Sequence, residues 1–230
     1  MAQKSDNTEE RIHKVEDALG RTEQFIEDNQ KTLIIIIGVI VAVVLGYFGF
    51  KKFYIQPREK EAQSQMWMAE KYFEQDSLNK ALSGDGTYPG FLSIMDDYSM
   101  TKAANLAHYY SGIIYLKKGE FQTAIDHLKK FKGREVLVTS MAKGALGDAY
   151  MELGDTKKAL DYYLKAANSY SNDFSTPVFL NKAAWTYEQM KEYGKAIELY
   201  EMIRNDYPRS MESRTVDKNI ARDKILMGAK

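Results

Sequence analysis

Hydrophobic and polar positions follow different patterns in different parts of the chain. Leu33 to Phe50, LIIIIGVIVAVVLGYFGF, is continuously apolar and carries no charge. A helix of that length rises roughly 27 Å, close to the hydrocarbon thickness of a bilayer. Lys31 stands before it and Lys51-Lys52 after it, and Tyr47, Phe48, Phe50, Phe53 and Tyr54 crowd its C-terminal end as an interfacial aromatic belt. The pattern predicts a transmembrane helix with its interface over residues 32–55. A cleaved signal is not expected, because the preceding segment is acidic on balance and no small-x-small cleavage site follows. Upstream, in residues 1–31, Ile12, Val15, Leu19, Thr22 and Ile26 recur at alternating spacings of three and four, which puts them on one helical stripe. That tail reads either as a short amphipathic helix that docks on a partner or as a mostly disordered segment.

Within the apolar helix, Gly38, Ala42 and Gly46 fall at a spacing of four. Small residues at that spacing form a face on which a second membrane helix can pack closely. The alternative is that such residues are simply common in membrane helices. Flanking charge orients the helix weakly. Lys14, Arg21 and Lys31 precede it, whereas Lys51, Lys52, Arg58 and Lys60 follow it. That one extra positive charge favours a cytoplasmic C-terminal domain.

The remainder of the chain repeats itself. NLAHYYSGIIYLKKGEFQTAIDHLKKFKGREVLV, residues 105–138, aligns with SMAKGALGDAYMELGDTKKALDYYLKAANSYSND, residues 140–173. Gly112 then meets Gly147, Tyr115 meets Tyr150, Gly119 meets Gly154, Ala124 meets Ala159 and Leu128 meets Tyr163. A third copy begins near Pro177 and offers Ala184, Tyr187, Tyr193, Ala196, Tyr200 and Pro208. Gly112, Gly147 and Ala184 lie 35 and 37 residues apart. This resembles the tetratricopeptide repeat, a helix–turn–helix unit with small residues where its two helices meet and a glycine in the turn. Copy three departs at the turn, with Lys191 in the glycine position. Upstream, Asp96-Asp97-Tyr98-Ser99 echoes Asn168-Ser169-Tyr170-Ser171, so Phe91–Tyr98 should end a degenerate repeat. Its first helix is expected over about Arg58–Leu82, followed by a loop at Ser83–Gly90. The fold class expected is all-α: a transmembrane helix followed by a tetratricopeptide-repeat α-solenoid. It comprises a linker helix and degenerate repeat over 56–104, three repeats over 105–209 and a polar-faced capping helix over 210–230.

The resemblance implies that the first helices of the repeats line a concave binding groove. Carried over position by position, the lining is Tyr109, Ile113 and Leu116 in the first copy. It continues with Met141, Gly144, Asp148 and Met151 in the second, and Asn181, Trp185 and Glu188 in the third. This set is apolar and aromatic with a little acid, suited to extended or helical polypeptide with apolar side chains. It lacks the basic and amide residues that clamp a terminal carboxylate in chaperone-binding relatives.

Composition narrows the chemistry. Thirty-two basic residues balance 32 acidic ones, so no electrostatic case exists for nucleic acid. Cysteine is absent, which excludes disulfides, thiolate metal sites and a cysteine nucleophile. Ser83–Gly90 lacks the Lys-Ser/Thr pair of a phosphate loop and reads as a turn. His13, His108 and His127 show no metal-ligand spacing in sequence. His108 is expected in the core or groove and His127 on a solvent face. Asp96-Asp97 reads as a helix end rather than an acid/base pair. No enzyme, cofactor or metal is expected.

The order of tail, Phe25-Ile26-Glu27-Asp28-Asn29-Gln30-Lys31, membrane helix, linker helix and repeats resembles the bacterial single-pass family of the ancillary SecYEG translocon subunit (YfgM-type). The Gly-Asp-Gly-Thr-Tyr loop and tyrosine-rich helices suggest a divergent, Bacteroidetes branch. The resemblance implies an inner-membrane protein with a cytoplasmic tail and periplasmic repeats. Its implied partners are SecYEG, periplasmic chaperones and exported chains, with the bilayer contacted through Leu33–Phe50. A scaffold in envelope assembly or cell division is the alternative built from the same parts.

Overall fold

The computed structural model describes residues 27–133 and 136–228. The amphipathic stripe expected in the tail, from Ile12 to Ile26, lies outside the described residues. Among those described, all regular structure is helical. The chain divides into two units at Pro57 and Arg58.

The first unit contains helix α1, Gln30–Phe50, and a π-helical turn, Lys51–Ile55. Helix α1 is long and apolar enough to cross a membrane, and none of its apolar stretch is buried within the chain. The large apolar side chains from Ile34 to Leu45 are exposed all round the helix. Gly38 and Gly46 have open space where a side chain would project, and Ala42 is exposed.

The second unit is a stack of helices in which, after the first, each packs on the next in chain order. They are α2 (Gln56–Glu74), α3 (Leu78–Ser83), α4 (Phe91–Asp97), α5 (Lys102–Lys117) and α6 (Phe121–Lys130). There follow α7 (Val136–Glu152), α8 (Thr156–Ser169), α9 (Thr176–Gln189), α10 (Tyr193–Asp206) and α11 (Ser213–Gly228). The hairpins α5–α6, α7–α8 and α9–α10 coincide with the three copies read from sequence. Side chains cap the starts of α5 and α8. Thr101 accepts from the Ala104 N–H and Asp155 from the Lys158 N–H, both at 3.1 Å.

The turns inside the hairpins are identical in hydrogen bonding. Gly119 and Gly154 sit in the left-handed region at φ +77°, where glycine has no Cβ to clash. The N–H of Gly119 reaches the Leu116 carbonyl and that of Glu120 reaches Tyr115. Gly154 and Asp155 repeat this with Met151 and Tyr150, and Lys191 and Glu192 repeat it with Glu188 and Tyr187. This is the Schellman closure of a helix end. Lys191 takes it at φ 60° despite its side chain, so the third copy departs in residue type and not in shape. Asp76 takes it a fourth time, at φ 56°, with Phe73 and Tyr72 supplying the carbonyls.

That fourth turn corrects the expected helix Arg58–Leu82. The first helix of the degenerate repeat ends at Glu74, and the second is split into α3 and α4 by the glycine loop. Asp85 organises the loop. Its carboxylate accepts from the Thr87 and Tyr88 N–H groups at 2.9 and 2.8 Å and from the Tyr72 hydroxyl at 2.6 Å. The Tyr72 hydroxyl, followed by the two N–H groups, holds the Asp85 carboxyl down at about 2.

Steric fit sets the helix spacing. A Cβ on Gly112 would lie 2.5 Å from Leu128 Cγ, and one on Gly147 would lie 2.5 Å from the Tyr163 ring. The alanines opposite, Ala124, Ala159 and Ala196, are completely buried. The buried apolar residues form two clusters. One runs from Ala62 to Ile114 through α2–α5, and the other from Ile125 to Ile220 through α6–α11. The capping helix α11 buries Val216 and Ile220 against α10. Its outer surface is less polar than expected, because Ile225, Leu226 and Met227 in the last turns are exposed.

Candidate protein-binding groove

The three first helices, α5, α7 and α9, carry the positions expected to line the groove. Met141 and Trp185 are exposed, with Trp185 at 52%. Tyr109, Ile113, Leu116, Asp148, Met151, Asn181 and Glu188 are half-buried. Their apolar bodies pack inward: Tyr109, Ile113, Leu116 and Met151 lie against the larger core cluster. The Tyr109 ring also lies 5.6 Å from that of Phe131. Gly144 behaves differently. It is buried, and a Cβ there would meet the Phe179 ring at 2.0 Å. It marks the place where α9 approaches α7 and lines no groove.

Leu116, Asp148 and Met151 come together. With Phe121, Glu152, Tyr163 and Lys182 they line an open depression of about 380 Å³. Its polar end is an ordered triad. Asp148 accepts from Lys182 Nζ at 2.6 and 2.8 Å and from the Tyr163 hydroxyl at 2.7 Å. The Lys182 ammonium also lies 5.6 Å from the centre of the Tyr163 ring. Burial and the Asp148 carboxylate push the Tyr163 phenol upward, so it stays protonated and keeps donating. One acid read from sequence is therefore half of a pair bridging two repeats. Lys182 was missed. The available signal was its position 34 residues after Asp148, one repeat further on at a half-buried helix position.

Glu188 faces a different neighbourhood. It accepts from the Tyr200 hydroxyl at 2.5 Å and from the Arg222 guanidinium of the capping helix. Arg222 also donates to Asp223 at 3.2 Å. Burial, with a further push from Asp223, raises the Glu188 carboxyl, opposed by Tyr200 and Arg222. Asp223 is fully buried, and its Oδ2 has no hydrogen-bond partner. Glu188 thus ties α9 to the capping helix. Asn181 keeps a buried Oδ1 without a hydrogen-bond partner.

The histidines also differ from expectation. His127 is not on a solvent face. It is half-buried, with Nδ1 3.2 Å from Nδ1 of His108 and its ring stacked on Tyr115 at 5.3 Å.

Known proteins supply a frame for this geometry. Residues 112–174 and 182–210 each match a family model described as the tetratricopeptide repeat. No curated protein matches the chain significantly. Among solved structures, the fold is similar to a crystal structure of nearly identical TPR-like repeats, a single-residue variant, from a Podosopora anserina chain assigned as a kinesin light chain. The TM-score is 0.54 at 14% identity, over 75% of this chain and 89% of that one. The likeness is one of fold.

Proposed function

We propose that this chain, whose helical hairpins are tetratricopeptide repeats, is a non-enzymatic, membrane-anchored protein-binding module. Its groove takes apolar segments of other polypeptides, and α1 holds it in a bacterial inner membrane. The repeats face the periplasm and the tail the cytoplasm, as an accessory subunit of the SecYEG export translocon that contacts exported proteins or chaperones. The observation that carries the binding reading is the lining itself. Aromatic and thioether side chains of α5, α7 and α9 stand half-exposed or exposed on the helical stack, the kind of surface enriched at protein interfaces. The anchor reading is supported by the length and all-round exposure of α1. The face Gly38, Ala42, Gly46, open in this chain, is where a translocon helix would pack.

Copurification from gently solubilised membranes tests the assignment. Recovery of translocon subunits with the wild type, reduced by Gly38→Leu or Gly46→Leu, is the expected result. Recovery of division or envelope-assembly proteins alone would replace the export reading with a scaffold. A C-terminal reporter active only outside the cytoplasm should be active. An inactive reporter beside an active cytoplasmic one would place the repeats inside and end the export reading.

A further inference from the structure

The first repeat contains a histidine pair that the binding groove does not use. His108 on α5 and His127 on α6 approach across the hairpin with their Nδ1 atoms 3.2 Å apart. Their ring centroids are 5.4 Å apart and the planes are inclined at 44°. Both side chains are half-buried, so the rings are fixed and still reachable from solvent. Two imidazole nitrogens this close can share a proton or can both turn lone pairs on one cation. Nitrogens bound at 2.0–2.1 Å to a tetrahedral zinc ion stand about 3.3 Å apart. The observed separation therefore matches the bite of a two-histidine chelate, and the nearly head-on rings need only tilt to turn both lone pairs on one ion.

We propose that His108 and His127 bind a divalent transition metal ion of the imidazole-seeking class, represented by zinc, through their Nδ1 atoms. The ion would bridge the two helices of the first repeat. Among the described residues, no group of three or more His, Asp or Glu side chains is placed to hold a metal. The remaining positions on the ion fall to water or to a donor on another molecule. Affinity is then weaker than at a closed four-ligand site, and exchange is faster.

The surroundings keep the ligands in the right protonation state. Burial, the neighbouring His127 and Lys130 lower His108 to about 4, against a smaller upward pull from Asp96. Burial and Lys130 likewise lower His127, against Asp126. Both rings are neutral at pH 7. Binding displaces no net proton: the one hydrogen between the rings moves to Nε2 of its own imidazole, and both Nδ1 lone pairs face the ion. Tyr115 is stacked on His127 and covers one face of that ring.

The test uses the full chain in detergent, purified through a tag without histidine and titrated with zinc chloride by calorimetry. Wild type and His13→Gln should each take up one equivalent, and zinc should raise their melting temperature. H108Q and H127Q should each lose that equivalent while keeping the wild-type helical circular dichroism. If a variant fails to fold, imidazole nitrogen resonances of the wild type decide. Zinc should move two Nδ1 signals together and leave their Nε2 protonated. No uptake by wild type, uptake retained in either folded variant, or movement of a single histidine's signals would overturn the proposal.

Discussion

Lys191 and Asp76 sit in a conformation that a side chain makes costly. A left-handed backbone costs an ordinary residue about 1–2 kcal/mol, and glycine gives back about 0.5–1 kcal/mol of that as lost chain entropy. Lys191→Gly should therefore stabilise the chain by about 0.5–1 kcal/mol, read as a higher urea midpoint with an unchanged slope. Asp76→Gly should gain less, since aspartate tolerates this region better. Gly147→Ala should act in the opposite direction. The Tyr163 ring it would strike is pinned by its bond to Asp148 and cannot swing away. The cost should be about 1–3 kcal/mol, measured in the same titration. These positions also mark the limit of what the sequence discloses. Gly112, Gly147 and Ala124 repeat because helix contact admits only small side chains, so their pattern is visible in one dimension. The Lys191 turn was obscured because residue type and backbone shape part company there. His108 and His127 belong to different helices 19 positions apart, so no helical period or ligand spacing joins them.

At the scale of the element, the capping helix is held by the Glu188, Arg222 and Asp223 cluster as well as by Val216 and Ile220. Glu188 is held above its ordinary value of 4.5, so the folded state binds its proton more tightly than the unfolded chain does. The resulting stabilisation is complete below that ordinary value and is lost as pH rises through the folded-state value. Docking of α11 should weaken from mildly acid toward neutral pH. Glu188→Gln should flatten that dependence while preserving the Tyr200 hydrogen bond. Hydrogen exchange of α11 amides across this range is the measurement, and a dependence unchanged in the variant would refute the assignment. The degenerate repeat shows the same difference between pattern and element. The repeat echo places its first helix through about Leu82, but the turn at Asp76 depends on carbonyls that no residue-type rule marks. Its second helix is interrupted by a loop whose order comes from Asp85.

For the whole molecule, the proposed groove and the proposed anchor fall in different units. Trp185 is exposed and contributes little to the core. Trp185→Ala should therefore leave stability within about 1 kcal/mol while weakening capture of an apolar peptide about tenfold or more, as loss of an interface anchor does. Equal binding by wild type and variant, measured by fluorescence anisotropy, would remove Trp185 from the groove. The repeat architecture was legible because the same packing problem is solved three times in one chain. The capping contacts, the Asp148–Lys182 bridge and the histidine pair each occur once and join distant positions, so repetition could not reveal them.

The two core clusters, one through α2–α5 and the other through α6–α11, meet along a single hairpin. A stack in which most contacts join neighbouring helices opens in sections. Amides of α2–α4 should therefore exchange with solvent as one group and those of α7–α10 as another, slower group. A chain built this way has a seam. It can loosen one section while the other keeps its shape, and a bound ion between His108 and His127 would clip that seam shut.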